Sequence, residues 1–186
     1  MTIGGNIIVL MTVGLRRQLR STTTILISNL AVADLLLGST VLPFSAVWTI
    51  TDLWLFGQVF CNIWTAIDVL CCTASILSLC AISLDRYIGV TYPLKHSRIM
   101  THRRLLNIVM MVWFLSGAIS MVPFISWQDY GEEQSCICNV NSEKNYVLFS
   151  VSFSFYIPLL IILIVYSRIY VEATKQSKFL NKGIKT

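Results

Sequence analysis

Four apolar runs, 23–47, 59–83, 105–127 and 146–169, dominate this chain of 186 residues. A helix rises about 1.5 Å per residue and the hydrocarbon core of a bilayer is roughly 30 Å thick, so each run is long enough to cross one. Only 12% of the residues are charged, against about 25% in an ordinary soluble domain. The fold class expected is all-α, a multi-pass transmembrane helical bundle with short polar connections. A shorter apolar stretch, 3–15, opens the chain. It is too short to span alone. No basic residue precedes it and no small-residue cleavage site follows, which argues against a signal peptide. No soluble domain, internal repeat or low-complexity segment is present.

Charge orders the connections. Arg16, Arg17 and Arg20 lie in the first, and Lys95, Arg98, Arg103 and Arg104 in the third. Arg168, Lys175, Lys178, Lys182 and Lys185 lie at or beyond the end of the last run. The second and fourth carry Asp52, Asp129, Glu132, Glu133 and Glu143, with Lys144 the only base. Basic connections alternate with acidic ones, so the positive-inside rule puts the first, third and last in the cytoplasm and the N-terminal side outside. The net charge of +5 is thus a membrane-topology signal, and no nucleic-acid partner is expected. The segments read as a helix 1 remnant at 1–15, helix 2 at 22–48, helix 3 at 58–91 and helix 4 at 103–127. An outer loop at 128–145, helix 5 at 146–175 and the start of a cytoplasmic loop at 176–186 complete the chain.

Charged residues inside such runs are costly and ask for a function. Asp68 and the triplet Asp85-Arg86-Tyr87 share one helix, read as 58–91, 17 residues apart, or about 25 Å along it. One helix therefore carries a carboxylate toward the outer face and a charge cluster at the inner face. Two readings of Asp68 stand: counter-ion to a ligand ammonium, or a protonated carboxyl bonded to a neighbouring hydroxyl. Asp34, midway along the run 23–47, reads as a cation site, with Asn6, Asn29 and Ser75 as polar partners; the alternative is a carboxylate tied to adjacent helices. Ser150 and Ser154, i and i+4, face one way along the last run. They suit ligand hydroxyls, or else they bond their own backbone. Phe155, Trp64 and Val69 would line the apolar middle, and Pro158 would bulge the helix near these serines. Pro93 and Leu94 put an apolar contact in a basic loop.

Of six cysteines, Cys71, Cys72 and Cys80 fall inside the third span. Cys61, Cys136 and Cys138 lie at or in the outer loops, an oxidising compartment. One disulfide from Cys61 to Cys136 or Cys138 is expected. Cys136-Ile137-Cys138 has no second ligand pair or histidine nearby, so no metal is expected. His96 and His102 both sit in a cytoplasmic loop, and no nucleophile–histidine–carboxylate cluster or glycine-rich phosphate loop is apparent. The chain does not read as an enzyme. A small transporter would need Asp34 and Asp68 to line one through-path.

These residues together resemble the rhodopsin-like (class A) G-protein-coupled receptors. Gly5-Asn6, Asn29-Leu30-Ala31-Val32-Ala33-Asp34, Cys61, Asp85-Arg86-Tyr87, Tyr92-Pro93-Leu94, Trp113, Pro158 and Tyr166 match that family's helix signatures in order. The run Asp68-Val69-Leu70-Cys71-Cys72-Thr73-Ala74-Ser75-Ile76 is similar to that of alpha-1 adrenergic receptors and invertebrate octopamine receptors. The resemblance implies that Asp68 binds a biogenic amine's ammonium, flanked by Val69, Cys72 and Trp64. Ser150 and Ser154 would then meet phenol or catechol hydroxyls. It implies Cys138 as the partner of Cys61, and an allosteric sodium ion at Asp34 with Ser75 but no other cofactor. Asp85 would hold Arg86 at rest, and Tyr87, Pro93, Leu94 and Tyr166 would serve the switch and the transducer. The partners implied are a biogenic amine, a heterotrimeric G protein of the Gq type, the lipid bilayer and a receptor dimer, at the plasma membrane. Helices six and seven and the outer half of helix one have no counterpart. The resemblance therefore implies a fragment that does not signal alone, or a truncated form acting as a non-signalling dimerisation partner.

Overall fold

The computed structural model describes residues 2–15, 22–125, 138, 148 and 151–183. All the regular elements among them are helical: α1 (Thr2–Leu15), α2 (Thr22–Leu36), α3 (Leu42–Thr51), α4 (Gln58–Thr91), α5 (His96–Ile99), α6 (His102–Ile125) and α7 (Ile157–Gly183). A π turn, Leu37–Val41, joins α2 to α3, and a second, Ser152–Tyr156, leads into α7. Four stretches are long and apolar enough to cross a membrane: Thr23–Thr51, Gln58–Thr91, His102–Met121 and Ser152–Lys178.

The 34-residue α4 is the central post, touching α2, α6 and α7, while α1 leans on α2. Its limits follow from local chemistry. Gly57 adopts φ +79° ahead of it, a conformation that costs a residue without Cβ little. At the other end Pro93 pushes Tyr92 out of the helical region, to φ −131° and ψ 63°. The small residues Ala33 and Ala74 let α2 and α4 approach, and with Val112 of α6 they form one buried cluster against Leu77 and Trp113.

Both π turns end two residues before a proline, Pro43 and Pro158. A proline inside a helix has no N–H to donate and its ring crowds the preceding turn. The chain widens instead, with the amide of Leu42 donating to Leu37 and that of Ile157 to Ser152. Around the first turn the hydroxyls of Ser39 and Thr40 bond back to the carbonyls of Leu35 and Leu36 at 2.7 and 2.6 Å.

The bulge expected from Pro158 is present; the one before Pro43 went unforeseen. The second span runs to Thr51 rather than 48. α4 matches the expected 58–91, and α6 starts one residue earlier than expected. α7 continues to Gly183, past the expected end at 175, so the start of the following connection at 176 is corrected. Polar residues do not end a helix. Ala, Lys, Gln and Leu are good helix formers, and Lys175 pairs with Glu172 at 3.0 Å. The expected loop 128–145 lies outside the described residues except for Cys138.

Candidate functional site

One end of α4 is pinned covalently. Cys61 and Cys138 form a disulfide, their Cα atoms 5.6 Å apart, and both are buried. Of the two partners the sequence allowed, Cys138 is the one bonded; Cys136 lies outside the described residues. Around the disulfide stand Trp48, Trp54, Trp64, Phe44, Phe56 and Phe60. Trp54 is the hub, with ring centroids 5.8 Å from Trp48, 5.1 Å from Trp64 and 5.4 Å from Phe56. Its indole N–H donates to the Gly57 carbonyl at 2.8 Å, which fastens the 52–57 connection to itself. Asp52, at φ 51°, makes the sharp exit from α3.

Trp64 belongs to this cluster. Its N–H donates to the Val41 carbonyl at 3.3 Å, so the widened turn before Pro43 presents an acceptor to the central helix. One turn further along α4, Asp68 is half-buried. Its Oδ1 lies 3.4 Å from the Cys72 thiol, a weak donor. Among the described residues no ion pair reaches Asp68. Val69 and Cys72 are half-buried beside it on α4. Ser154 is half-buried within the second π turn, whereas Phe155 is 46% exposed and packs edge-on against Tyr156. Ser150 lies outside the described residues. The α4–α7 contact continues where the Cys80 thiol meets the Pro158 carbonyl at 3.4 Å.

The middle of the bundle is held by polar contacts between helices. Ser75 donates to Asp34 Oδ1 at 2.7 Å, so of the three partners expected for Asp34, Ser75 is found there. Asn29 instead donates to Ser78 at 2.8 Å and accepts from the Trp113 indole at 2.8 Å, joining α2, α4 and α6. Asn6 donates to the Thr2 carbonyl within its own helix.

The far end of α4 departs most from expectation. Asp85 is 1% exposed, and both of its oxygens are taken: Oδ2 accepts from Thr23 at 3.0 Å, and Oδ1 faces His96 Nε2 at 3.0 Å. An ionised carboxylate only accepts, so with Asp85 ionised the contact takes the form in which His96 Nε2 is the donor. Arg86 is exposed, and among the described residues no ion pair joins it to Asp85. In this structure the oxygens of Asp85 go to Thr23 and His96, and the pair expected with Arg86 at rest is not formed. The residue following Asp85 leaves the helix in a different direction, and α5 folds back to fill Asp85's remaining acceptor. Tyr87 is half-buried; Pro93 and Tyr166 are exposed, and Leu94 is 96% exposed. Gln176 of α7 donates to the Val90 carbonyl at 2.7 Å, one of the last four carbonyls of α4, which lack a partner inside their own helix. Thr23, His96 and Gln176 were missed because each acts across a distant part of the chain, although a buried aspartate beside a loop histidine was a usable signal.

A bundle of membrane-length helices around one central helix, with a half-buried carboxylate toward one end and an exposed arginine at the other, is the architecture of a multi-pass membrane protein. The family model for the seven-transmembrane receptors of the rhodopsin family matches residues 5–184. The chain belongs to that family. It is 55% identical over 182 residues to the alpha-1A adrenergic receptors of Mus musculus and Homo sapiens, and 55% identical over 181 residues to that of Oryzias latipes. These alignments cover 98% of this chain against the mouse and human proteins and 97% against the fish protein. The chain spans 39% of the mouse and human relatives and 38% of the fish one. The relatives are receptors.

Proposed function

We propose that this chain forms the ligand-binding and transducer-facing part of a plasma-membrane receptor for a biogenic amine bearing a phenol or catechol ring. Binding is passed to a heterotrimeric G protein of the Gq type. The observation that carries this reading is Asp68, half-buried on the central helix and met by no cation among the described residues. A membrane-embedded carboxylate asks for a counter-charge, and an amine ligand supplies one. Similarity to adrenergic receptors favours the same ligand class.

In this reading the Cys61 end faces outside, where disulfides persist, and the N-terminal side lies there too. Trp64, Val69, Cys72, Ser150 and Ser154 complete the ligand site. The hydrogen-bonded pair Asp34–Ser75 offers oxygens for a sodium ion. Arg86, Pro93, Leu94 and Tyr166, exposed toward the other end, meet the G protein.

The test uses the receptor expressed from its full coding sequence, with catecholamine, octopamine and tyramine responses measured at matched surface abundance. Asp68→Asn should lower amine potency roughly 100-fold, or about 2.8 kcal/mol, as expected when one member of a buried charge pair is neutralised. Unchanged potency would remove Asp68 from the ligand site.

A further inference from the structure

Between Arg86 and Ile125 the chain has no Asp or Glu, while Lys95, Arg98, Arg103 and Arg104 are all exposed. Among the described residues no ion pair reaches any of the four. Thr101 stands in the middle of this charge. Arg98 lies three residues before it, and Arg103 and Arg104 lie two and three after it. Thr101 belongs to neither α5 nor α6 and is exposed in the link between them. Met100 and Leu105, buried in one cluster, anchor that link on either side. The Thr101 carbonyl accepts from the Leu105 amide at 3.1 Å, as the residue capping a helix start does. Such a threonine usually turns its hydroxyl onto a first-turn amide. Here the hydroxyl makes no hydrogen bond among the described residues. Arg104 folds back over the link, its Nη1 donating to the Ile99 carbonyl at 2.9 Å. An exposed, unbonded hydroxyl with arginine on both sides has the charge pattern that basophilic protein kinases select.

We propose that Thr101 is a phosphorylation site for a basophilic protein kinase, and that Arg104 holds the phosphate. Thr101 Oγ attacks the γ-phosphorus of a nucleoside triphosphate. The bond from that phosphorus to its bridging oxygen breaks, the nucleoside diphosphate leaves, and the hydroxyl proton passes to a carboxylate of the kinase. The product carries about two negative charges. They stand beside a guanidinium already turned back over the link, at the start of a helix whose first turn holds no acid. The proposal rests on the receptor reading in one respect, the placing of this connection on the cytoplasmic side, where the triphosphate is found. Ser97, also exposed, lies inside α5 and has no arginine before it in this connection.

The test uses the receptor expressed from its full coding sequence, in lipid nanodiscs that leave both faces open, with ATP and the catalytic domain of protein kinase C. Mass spectrometry should find phosphate arriving at Thr101 about tenfold faster than at Ser97. Thr101→Ser should keep the site and Thr101→Ala should lose it. Arg98→Gln should slow the transfer about fivefold with an unchanged thermal midpoint. The docked phosphate is read separately. Phenylglyoxal should modify Arg104 about fivefold more slowly after phosphorylation, because a guanidinium paired with phosphate is shielded. Phosphatase treatment should restore the rate. Phosphate on Ser97 in preference to Thr101, or an Arg98→Gln rate equal to the parent's, overturns the proposal. An Arg104 rate that phosphorylation leaves unchanged does the same. No amine enters the measurement, and open nanodiscs make it independent of sidedness. A receptor silent to every amine would therefore overturn the ligand reading and leave this one to its own result.

Discussion

The two ends of α4 are fastened by different chemistry. At the Cys61 end the fastening is a covalent bond inside a set of interlocked aromatic rings. At the Asp85 end it consists of contacts that exchange without breaking a covalent bond: Thr23 and His96 on Asp85, and Gln176 on the Val90 carbonyl. The buried residues differ in the same sense. The first cluster contains Trp54 and Trp64 with the disulfide, the other Leu26, Ala81, Met100 and Leu105. A helix made this way is anchored at one end and adjustable at the other. That asymmetry suits a part that must keep a site in place while its opposite end changes partners.

The contrast can be broken most directly at Trp54. Trp54→Ala removes a ring that is 4% exposed and touches four other aromatics. It should cost about 3–5 kcal/mol, as large aromatic truncations do, seen as a lower thermal midpoint in nanodiscs. Replacing both Cys61 and Cys138 by alanine should cost about 2–4 kcal/mol. The midpoint of the unaltered protein should then fall on adding reductant, while that of the double variant should not move. Gln176→Ala should cost only about 1 kcal/mol. It should speed amide hydrogen exchange in the last turn of α4 and leave the region around Trp54 unchanged. If the Gln176 change lowered the midpoint as far as removal of the disulfide, the two ends would not differ as described.

Much of the frame was legible because the chain marks it with glycine, proline and charge. Gly57 and Pro93 bracket α4, and its bounds agree with the expectation. Pro158 announced its bulge, and the polar residue Ser75 inside an apolar run found Asp34. The turn before Pro43 was missed although the same rule applied there. The run 23–47 reads as one uninterrupted helix, in which Pro43 is given no consequence of its own. The inner site was less legible because the resemblance pairs Asp85 with Arg86, while the contacts seen here come from elsewhere in the chain. Asp85 and Arg86 are neighbours along the chain, but the partners of Asp85 lie 62 and 11 residues away, His96 across a turn whose path no periodicity encodes. The link from Trp113 to Asn29 spans 84 residues and follows from packing alone.

The two π turns have a geometric consequence. Each adds a residue to a helix without adding a turn, and one residue of an α-helix corresponds to about 100° of rotation. The part of each span on one side of its π turn is therefore out of phase with the part on the other. Thr23, at the start of the second span, and Val41, the last residue of its π turn, both reach α4, one at Asp85 and the other at Trp64. Ser154 lies inside the phase step in front of α7, and Gln176 lies beyond it. Azimuth at the two ends of these helices is thus set separately, so the direction in which one end points does not dictate where the other end looks.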